Sequence, residues 1–420
     1  MVGQTKDVVD LPARVAGAEC VEYGGHSEGR PEKWSDTVVG HVADGKGLGA
    51  GGDVVVLDQR WAHHSPHSGY CRFLDHVPPG VARIRSVMHD RISINVEAGA
   101  QGNIAFLSAG GRRVNLPFGR RLARAAFGTR WWYPVESLFA EARLMARMRW
   151  SPRSVYHLTY AEDQFGLLGQ FGWPDRCKVI ATFHQPPSQL PRFFTSEEPL
   201  RGLDGAIAVA SNQVEALGAL VGPDRVFLVP HGVDVGFWSP SANGSPRSRR
   251  CTVLSVGHWL RDFNTMREVV QALRARYGSA LDVVIVTSSE HARRLAGWPG
   301  VRILVGVSEA ELRGWYRAAD VVVLPLLDAT VNNAMLESLA CGTPVVATGV
   351  GAISDLADGA GVIPVAPGDP DAMTRAVVAI LGDPDYKARS HFARAAAERL
   401  DWPRVARDLM DVYRRVGEQS

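Results

Sequence analysis

The sequence predicts an α/β fold built from two consecutive doubly wound domains that face each other across a cleft. From Asp53 onward, short β-branched segments alternate with helical patterns. The short segments are apolar at consecutive positions, which is typical of parallel strands covered by helices on both faces. A stretch rich in Pro, Gly, Ser and Arg at Val229–Arg250 interrupts this pattern and separates two halves of ordinary domain size.

Each half contains a series of strand candidates. In the first half they are DVVVLD, SVYHLTY, KVIATFH, GAIAVAS and RVFLVPHG. In the second half they are CTVLSVGH, LDVVIVTSS, VRILVGV, ADVVVLPLL, TPVVATGV and AGVIPVAP, with helical patterns such as FNTMREVVQALRARYG and SEAELRGWYRAA between them. We therefore divide the chain into a leader (1–52), a first domain (53–230), a second domain (231–400) and a C-terminal amphipathic helix (401–420). Periodicity leaves open where that helix docks, including a return to the first domain.

Composition and charge argue against several classes of protein. The net charge of +2 over 420 residues does not favour a nucleic-acid-binding protein. Five cysteines without paired spacing favour reduced thiols over a disulfide framework or a zinc site. The N-terminus lacks the basic start and apolar stretch of a secretory signal, and no run of about 20 apolar residues occurs. We expect a soluble, cytoplasmic protein without a transmembrane segment.

The leader is polar and rich in glycine, and we expect it to be at best partly ordered. Its segment Gly47–Gly52 matches the G-x-G-x-x-G spacing of dinucleotide-binding loops. In that motif the glycines follow a strand and open a helix, whereas here they precede the strand DVVVLD. The order favours a flexible tether over a nucleotide site.

Candidate site residues in the first half follow the ends of predicted strands, because ligands in open α/β sheets bind beyond the carboxyl ends of the strands. Ser68 and Gly69 lie in a polar loop that can offer backbone N–H groups to a ligand, near a phosphate or the acceptor. That loop also holds His63, His64 and His67, but it has no cysteine or carboxylate at ligand spacing, so we predict no metal site. The other candidates in this half are His184, and Glu162 and Asp163 on the acceptor side.

The second half places polar residues after two of its strands. His258 and Arg261 follow the first strand, where a basic side chain can meet a phosphate. Asn332 or Asn333 suits the N-cap of the helix AMLESLAC, whose first N–H groups and partial positive charge form an anion site. Glu337 lies about one turn further on, placed to accept hydrogen bonds from sugar hydroxyls. A diphosphate at the helix start and a ribose at Glu337 together describe a nucleotide sugar.

A basic and aromatic cluster occurs in GRRVNLPFGRRLARAAFGTRWWYP, with Arg120, Arg121, Arg124, Trp131 and Trp132. Contact with an anionic acceptor or a membrane surface is one interpretation. A solvated helix with extended arginine side chains is the other, and it is the more common arrangement.

Four segments of the second half resemble the family 4 retaining glycosyltransferases of the GT-B fold. They are VPHGVD, SVGHWLRDF, VSEAELRGWYRAADVVVLPL and NNAMLESLACGTPVVATGVGAISDL, and the similarity spans Val229–Asp383. The resemblance implies two facing Rossmann-like domains, with a nucleotide sugar held mainly by the second domain and a hydroxyl acceptor held by the first. It also implies that no metal or other cofactor is needed, because basic side chains and a helix N-terminus neutralise the leaving diphosphate.

The sequence departs from the family pattern at two places. The pattern Glu, seven residues, Glu ends at Glu337 and so places Ala329 at its first position, with Asp328 one residue earlier. In the basic pair after the first strand of the second domain, His258 replaces the arginine and Phe263 stands near the lysine. Arg261 is then the substitute cation. These departures imply an altered contact to the donor sugar or weakened catalysis.

From the resemblance we expect a transferase that moves a hexose-type sugar from a nucleoside diphosphate to an unidentified hydroxyl. Arg261, His258 and Asn332 or Asn333 would bind the diphosphate, and Glu337 the ribose. Asp328 would hold the donor sugar, and His184 the transferring sugar near the acceptor. The alternatives are a nucleotide-sugar epimerase on the same scaffold and a non-catalytic nucleotide-sugar-binding relative. The base, the sugar, the acceptor and the oligomeric state stay open.

Overall fold

The structure is a computed structural model, and it describes residues 53–61, 67–78, 81–88, 92–99, 102–109, 112–115, 132–194, 196–241, 250–357 and 361–418. The leader with Gly47–Gly52, the histidines His63 and His64, and the cluster Arg120–Trp131 lie outside these residues. The described residues belong to one compact unit, in which two parallel sheets define two lobes.

The first lobe is built on a six-stranded parallel sheet of order β10-β9-β8-β7-β1-β2. Its strands are β1 (Val54–Trp61), β2 (Val81–Met88), β7 (Val155–Leu158), β8 (Lys178–Phe183), β9 (Gly205–Ala208) and β10 (Val226–Leu228). The helices described in this lobe are α1 (Val135–Trp150), α2 (Leu167–Phe171), α3 (Leu190–Phe193) and α4 (Val214–Val221), and a 3-10 helix covers Tyr70–His76.

A four-stranded antiparallel sheet of order β5-β4-β3-β6 is inserted between β2 and α1. Its strands are β3 (Ile92–Gly99), β4 (Gly102–Ala109), β5 (Arg112–Asn115) and β6 (Trp132–Pro134). This sheet is absent from the strands predicted from the sequence. Most of its segments interrupt apolar residues with Ser, Asn, Glu, Arg or Gly, and only β4 carries a run of four apolar residues (104–107), so the sheet does not show the apolar pattern of buried parallel strands.

The second lobe is a six-stranded parallel sheet of order β13-β12-β11-β14-β15-β16. The strands are β11 (Cys251–Val256), β12 (Leu281–Val286), β13 (Val301–Leu304), β14 (Val321–Leu324), β15 (Val345–Thr348) and β16 (Val362–Val365). The helices are α5 (Phe263–Tyr277), α6 (Ser289–Leu295), α7 (Glu309–Ala318), α8 (Asn333–Ala340), α9 (Pro370–Leu381) and α10 (Tyr386–Glu398). Every strand predicted from an apolar run in the sequence is present in one of these two parallel sheets.

Hydrophobic side chains pack on both faces of the second sheet, which is why its strands are apolar throughout. Val253 and Val323 belong to the core on one face, whereas Leu254 and Leu324 belong to the core on the other. This division follows from the two-residue period of a strand. Helices cover both faces of the sheet. The carboxyl ends of its strands face the first lobe, and α5 begins at that edge with Asp262 as its N-cap.

The chain crosses between the lobes twice, and the two crossings are hydrogen-bonded to each other. The backbone N–H of Val233, after the first crossing, donates to the carbonyl of Leu400 in the second, at 2.9 Å. The last helix, α11 (Trp402–Glu418), then packs against the first lobe in a buried cluster with Tyr70 and Phe73. Helix α11 therefore follows the second lobe in sequence but stabilises the first lobe. Among the described residues, no helix is long and apolar enough to cross a membrane.

Candidate active site

A cleft of about 910 Å³ lies between the two lobes. Each lobe contributes the loops that follow its strands, as expected for parallel sheets. The first lobe contributes the loops after β1, β7, β8 and β9, and the second contributes those after β11 and β14. The cleft is therefore lined by segments far apart in the sequence.

All of the predicted site residues except Ser68 line this cleft. Ser68 lies instead in a small adjoining cavity, together with Gly69, Asn333 and Glu337. The residues that line the main cleft are Gly69, Glu162, Asp163, His184, His258, Arg261, Asp328, Asn332, Asn333 and Glu337. The structure thus brings the candidates of both halves into one space.

The start of helix α8 faces the cleft. Asn332 is its N-cap, and the side-chain oxygen of Asn332 accepts a hydrogen bond from the backbone N–H of Met335 at 3.3 Å. Asn332 is buried, whereas Asn333 is exposed as the first helical residue. The sequence left the choice between the two asparagines open, and the capping geometry selects Asn332. The first N–H groups of a helix have no partner within the helix, so this end can receive an anion.

Glu337 lies one turn into α8, and its carboxylate Oε2 accepts a 2.9 Å hydrogen bond from the Tyr316 hydroxyl. Burial raises the pKa of Glu337 to about 8, and the carboxylate of Glu309 adds to the increase, while the bond from Tyr316 opposes it. Glu337 therefore holds a proton at neutral pH in the absence of a ligand. A ligand that donates hydrogen bonds to it would favour the carboxylate form.

Arg261 lines the cleft, but most of its N–H groups are donated to the protein itself. Nε and Nη2 donate to the carbonyl of Val256 at 3.0 and 2.7 Å, Nη1 donates to the carbonyl of Trp259 at 3.1 Å, and Nη2 also contacts Oδ1 of Asn332 at 3.3 Å. Of the five N–H groups of a guanidinium, these bonds use four. Burial lowers the pKa of Arg261 to about 10, so the side chain stays charged at neutral pH.

The guanidinium of Arg261 also explains why position 257, in the loop after β11, is a glycine. Gly257 has a φ of +99°, and a Cβ at this position would come within 2.6 Å of Nη2 of Arg261. His258, the next residue, is exposed at the cleft, and its ring centroid is 5.3 Å from that of His291 in α6. The loop therefore carries one half-buried cation and one exposed imidazole.

His184 is held rigidly at the end of β8. Its Nε2 is 2.8 Å from the carbonyl of Thr159, which can only accept, so Nε2 carries the proton of the neutral ring. The ring stacks on Tyr160 with centroids 4.6 Å apart. Glu162 accepts the backbone N–H groups of His184 at 2.6 Å and of Gln185 at 2.7 Å. This predicted acceptor-side residue thus holds the loop that carries His184.

Segment 328–330, where the family resemblance leads us to expect a glutamate, is bonded to the first lobe. Asp328 accepts a hydrogen bond from the Ser188 hydroxyl, and the carbonyl of Ala329 accepts one from Nδ2 of Asn212 at 3.0 Å. Ala329 itself is buried, with 6% of its surface exposed. The segment that departs from the family pattern therefore lies where the two lobes meet.

Sequence reasoning missed three residues that the structure places in or behind the site. His231 and Tyr160 line the cleft, and Tyr316 supports Glu337 from behind. His231 lies in VPHGVD, and Tyr316 in VSEAELRGWYRAADVVVLPL, both of which carry the family resemblance. Only their tertiary partners distinguish them from ordinary buried residues.

Within the part of the chain that the structure describes, no group of three or more His, Cys, Asp and Glu side chains is arranged to hold a metal ion. Of the three loop histidines after β1, only His67 is described. Its Nδ1 is 2.8 Å from Oδ2 of Asp234, and its ring stacks on Phe237 with centroids 3.7 Å apart. Asp234 and Phe237 follow the first crossing, so His67 joins the two lobes.

The fold and the interlobe cleft are those of the GT-B class. One solved structure, the α,α-trehalose 6-phosphate synthase from Burkholderia multivorans, is similar to this chain with a TM-score of 0.63. The match covers 88% of this chain and 99% of that one, at 14% sequence identity. At this identity the likeness concerns the fold.

Sequence comparison places the chain in a family. The family model for glycosyl transferases group 1 matches residues 250–383. The D-inositol 3-phosphate glycosyltransferase of Xylanimonas cellulosilytica is 30% identical over 59% of this chain and 70% of its own length. The phosphatidyl-myo-inositol mannosyltransferase of Mycobacterium tuberculosis is 28% identical over 82% of this chain and 96% of its own length. The chain belongs to the family 4, or group 1, glycosyltransferases, and it is a glycosyltransferase.

Proposed function

We propose that this glycosyltransferase moves a hexose-type sugar from a nucleoside-diphosphate sugar to a hydroxyl group, with retention of the anomeric configuration and without a metal ion. One observation carries the proposal: the Asn332-capped start of α8 and the carboxyl group of Glu337 line the same cleft as His184. These are the groups that a diphosphate, a ribose and a transferring sugar, respectively, need.

The diphosphate binds at the N-terminus of α8. Asn333 and Ala334, the first helical residues, both line the cleft, and the helix dipole favours an anion there. Arg261 contributes its charge and its one N–H group outside the four bonds named above. His258 adds an exposed imidazole. The helix end is therefore the main diphosphate contact, and this arrangement supports a mechanism that needs no metal.

The ribose hydroxyls donate to Glu337, and the donor sugar extends toward His184 and Asp328. In the reaction, the acceptor oxygen bonds to the anomeric carbon on the face from which the phosphate leaves. The bond between the anomeric carbon and the phosphate oxygen breaks, and that oxygen takes the acceptor proton. The products are the nucleoside diphosphate and a glycoside of unchanged configuration. Glu162 and Asp163 lie on the acceptor side, and the Ser68–Gly69 loop, which shares a small cavity with Asn333 and Glu337, lies near a phosphate or the acceptor.

The acceptor is proposed to be a polyhydroxylated molecule. The names of two relatives refer to inositol 3-phosphate and to phosphatidyl-myo-inositol. These names make myo-inositol, inositol 3-phosphate and phosphatidylinositol the first compounds to test, with plain hexoses as a comparison.

The test begins with the donor. The protein is incubated with UDP-glucose, UDP-N-acetylglucosamine, GDP-mannose and ADP-glucose, and the release of nucleoside diphosphate is measured with and without each acceptor. Release of nucleoside diphosphate together with free sugar or a glycoside supports the proposal. A new nucleotide sugar without any acceptor would favour the epimerase alternative. Absence of both product and binding for every donor would overturn the donor class.

Two finer parts of the proposal are tested with the productive donor. The anomeric configuration of the product, read from its proton coupling constant, must match that of the donor if the reaction retains configuration. Activity must also survive EDTA, and its loss with recovery on adding a divalent cation would contradict a metal-free mechanism.

Glu337→Ala should weaken donor binding by about 1.5–3 kcal/mol for each hydrogen bond lost to the charged carboxylate.

A further inference from the structure

His231 is a nearly buried histidine that lines both the main cleft and the small adjoining cavity. It lies in the first chain crossing between the lobes, and 8% of its surface is exposed. Across the small cavity from it lie Asn333 and Glu337, the residues assigned above to the donor. On the first-lobe side, its ring centroid is 6.0 Å from that of His184. The residue therefore lies between the two halves of the proposed site.

The hydrogen bonding of His231 determines which of its nitrogens carries the proton. Nδ1 is 2.7 Å from the carbonyl of Gly232, and a carbonyl oxygen can only accept. Nδ1 must therefore be protonated, which leaves Nε2 as a hydrogen-bond acceptor in the neutral ring. Burial lowers the pKa of His231 to about 4, so the ring is neutral over the ordinary working range of pH. His184 has the opposite tautomer, with its proton on Nε2.

The ring of His231 is enclosed by aromatic side chains. The centroid of Trp402, the first residue of α11, is 5.2 Å away, and that of Tyr70 is 5.6 Å away. Trp402 also lies directly on the backbone of Gly232, where a Cβ would come within 2.4 Å of its ring. Position 232 therefore requires glycine. The same tryptophan thus packs against both His231 and the residue whose carbonyl orients it.

We propose that His231 contacts the donor, with its Nε2 accepting a hydrogen bond from a sugar hydroxyl of the nucleotide sugar, and that Trp402 is the positioning residue that holds the ring. The inference rests on the donor class proposed above. A neutral imidazole with an acceptor nitrogen can orient a hydroxyl. It does not remove a proton, because its conjugate acid is too strong at the working pH. The C-terminal helix then completes the donor site from the first lobe.

The donor contact is tested by comparing His231→Phe with His231→Gln. Phenylalanine fills the space and has no acceptor, whereas the side-chain oxygen of glutamine lies near the position of Nε2. Calorimetry with UDP-glucose and GDP-mannose should show affinity reduced about tenfold in the Phe variant and retained within about threefold in the Gln variant. Equal affinity of the Phe variant and the wild type would overturn the inference. If the wild type binds no nucleotide sugar, the donor class fails and this inference fails with it.

The positioning role of Trp402 is tested by a pH profile, with Leu409→Ala as the matched control. Leu409 is buried in the same cluster about two turns further along α11. The titratable groups that face His231 are His184, His67, Glu337 and the Tyr70 hydroxyl. Trp402→Leu opens the ring to water, which raises its pKa, so donor affinity should fall as the pH is lowered from 7 to 5.5. The Leu409→Ala control should not show this additional fall in donor affinity between pH 7 and 5.5. Identical profiles for the two variants would contradict the positioning role.

The tautomer gives a readout that does not depend on affinity. Nitrogen NMR of histidine-labelled protein, assigned by the missing signals of His231→Gln, should show Nε2 of His231 as an unprotonated nitrogen. Its shift should change on saturation with the nucleotide sugar that binds the wild type. A protonated Nε2, or an unprotonated Nε2 whose shift does not change, would overturn the donor contact.

Discussion

The hydroxyl of Tyr316 donates a 2.9 Å hydrogen bond to Oε2 of Glu337, and so joins helix α7 to helix α8. Tyr316 is fully buried, and its own carbonyl accepts a 2.6 Å hydrogen bond from the Thr343 hydroxyl. Its position is therefore fixed by its packing and by this main-chain contact. Burial holds the pKa of the Tyr316 hydroxyl well above its usual value, so it remains a donor at any working pH. Tyr316 thus orients Glu337 and partly offsets the cost of its charge.

Tyr316→Phe should move the pH dependence of nucleotide binding to higher pH. The lost hydrogen bond favours the carboxylate, so its removal raises the pKa of Glu337 further above its present value of about 8. Ribose hydroxyls bind the carboxylate form, so affinity for UDP or GDP should rise with pH through this pKa. We expect the midpoint to shift upward by about one pH unit. Calorimetry between pH 6 and 9 measures it, and an unchanged midpoint would argue against the Tyr316 role.

Glu337→Gln should make the melting temperature less sensitive to pH. The pKa of this carboxyl group is about 8 in the folded protein, well above its ordinary value of 4.5. Between these values the folded state holds a proton that the unfolded state has lost, so stability falls as the pH rises toward 8. The loss is at most about 1.4 kcal/mol per pH unit, and glutamine removes it. Thermal melting at pH 6 and 8.5 gives the comparison. A variant that loses as much stability as the wild type would contradict the raised pKa.

Arg261→Lys should destabilise the second lobe, although it keeps the charge. Lysine cannot reproduce at once the bonds to the half-buried carbonyl of Val256 and to the carbonyl of Trp259, so at least one of these carbonyls loses its partner. We expect a loss of about 1–3 kcal/mol in the free energy of unfolding and weaker binding of the diphosphate. Arg294→Lys is the control, because Arg294 is exposed. Within the described residues, the one ion pair of Arg294 is with Glu290 of the same helix. Equal melting temperatures for the two variants would show that these bonds of Arg261 contribute little.

Asn332→Asp and Asn332→Ala should separate helix capping from anion binding. Aspartate caps a helix as well as asparagine, whereas alanine costs about 1 kcal/mol of stability. The added negative charge of aspartate opposes a diphosphate at the start of α8. We therefore expect Asn332→Asp to melt near the wild type but to bind UDP and GDP at least tenfold more weakly, with the affinity for the free nucleosides little changed. Undiminished diphosphate binding in the aspartate variant would place the anion elsewhere.

The sequence predicted every strand of the two parallel sheets except β2, because buried parallel strands are continuous apolar runs, whereas β2 (VARIRSVM) is interrupted by two arginines and a serine. It did not predict the antiparallel sheet β3–β6, in which β3 alternates polar and apolar residues, β5 and β6 are short, and β4 begins with glycine and carries polar residues at both ends. The same reasoning placed the candidate residues at the ends of strands, and the structure brings all of them except Ser68 into one cleft. Whether these residues bind and react as proposed stays a prediction.

The sequence by itself determined the local features of the site. Asn332 and Glu337 share the first turns of one helix, and Arg261 follows one strand by a few residues, so helical and strand periods suffice to relate them to their elements. Only the tertiary structure decided which side chains meet: Tyr316 with Glu337, Arg261 with Asn332, and Trp402 with His231, which lie 171 positions apart. The tautomer of His231 and the raised pKa of Glu337 follow from these contacts. Burial and hydrogen-bond partners depend on how distant segments pack, and no local pattern encodes that packing.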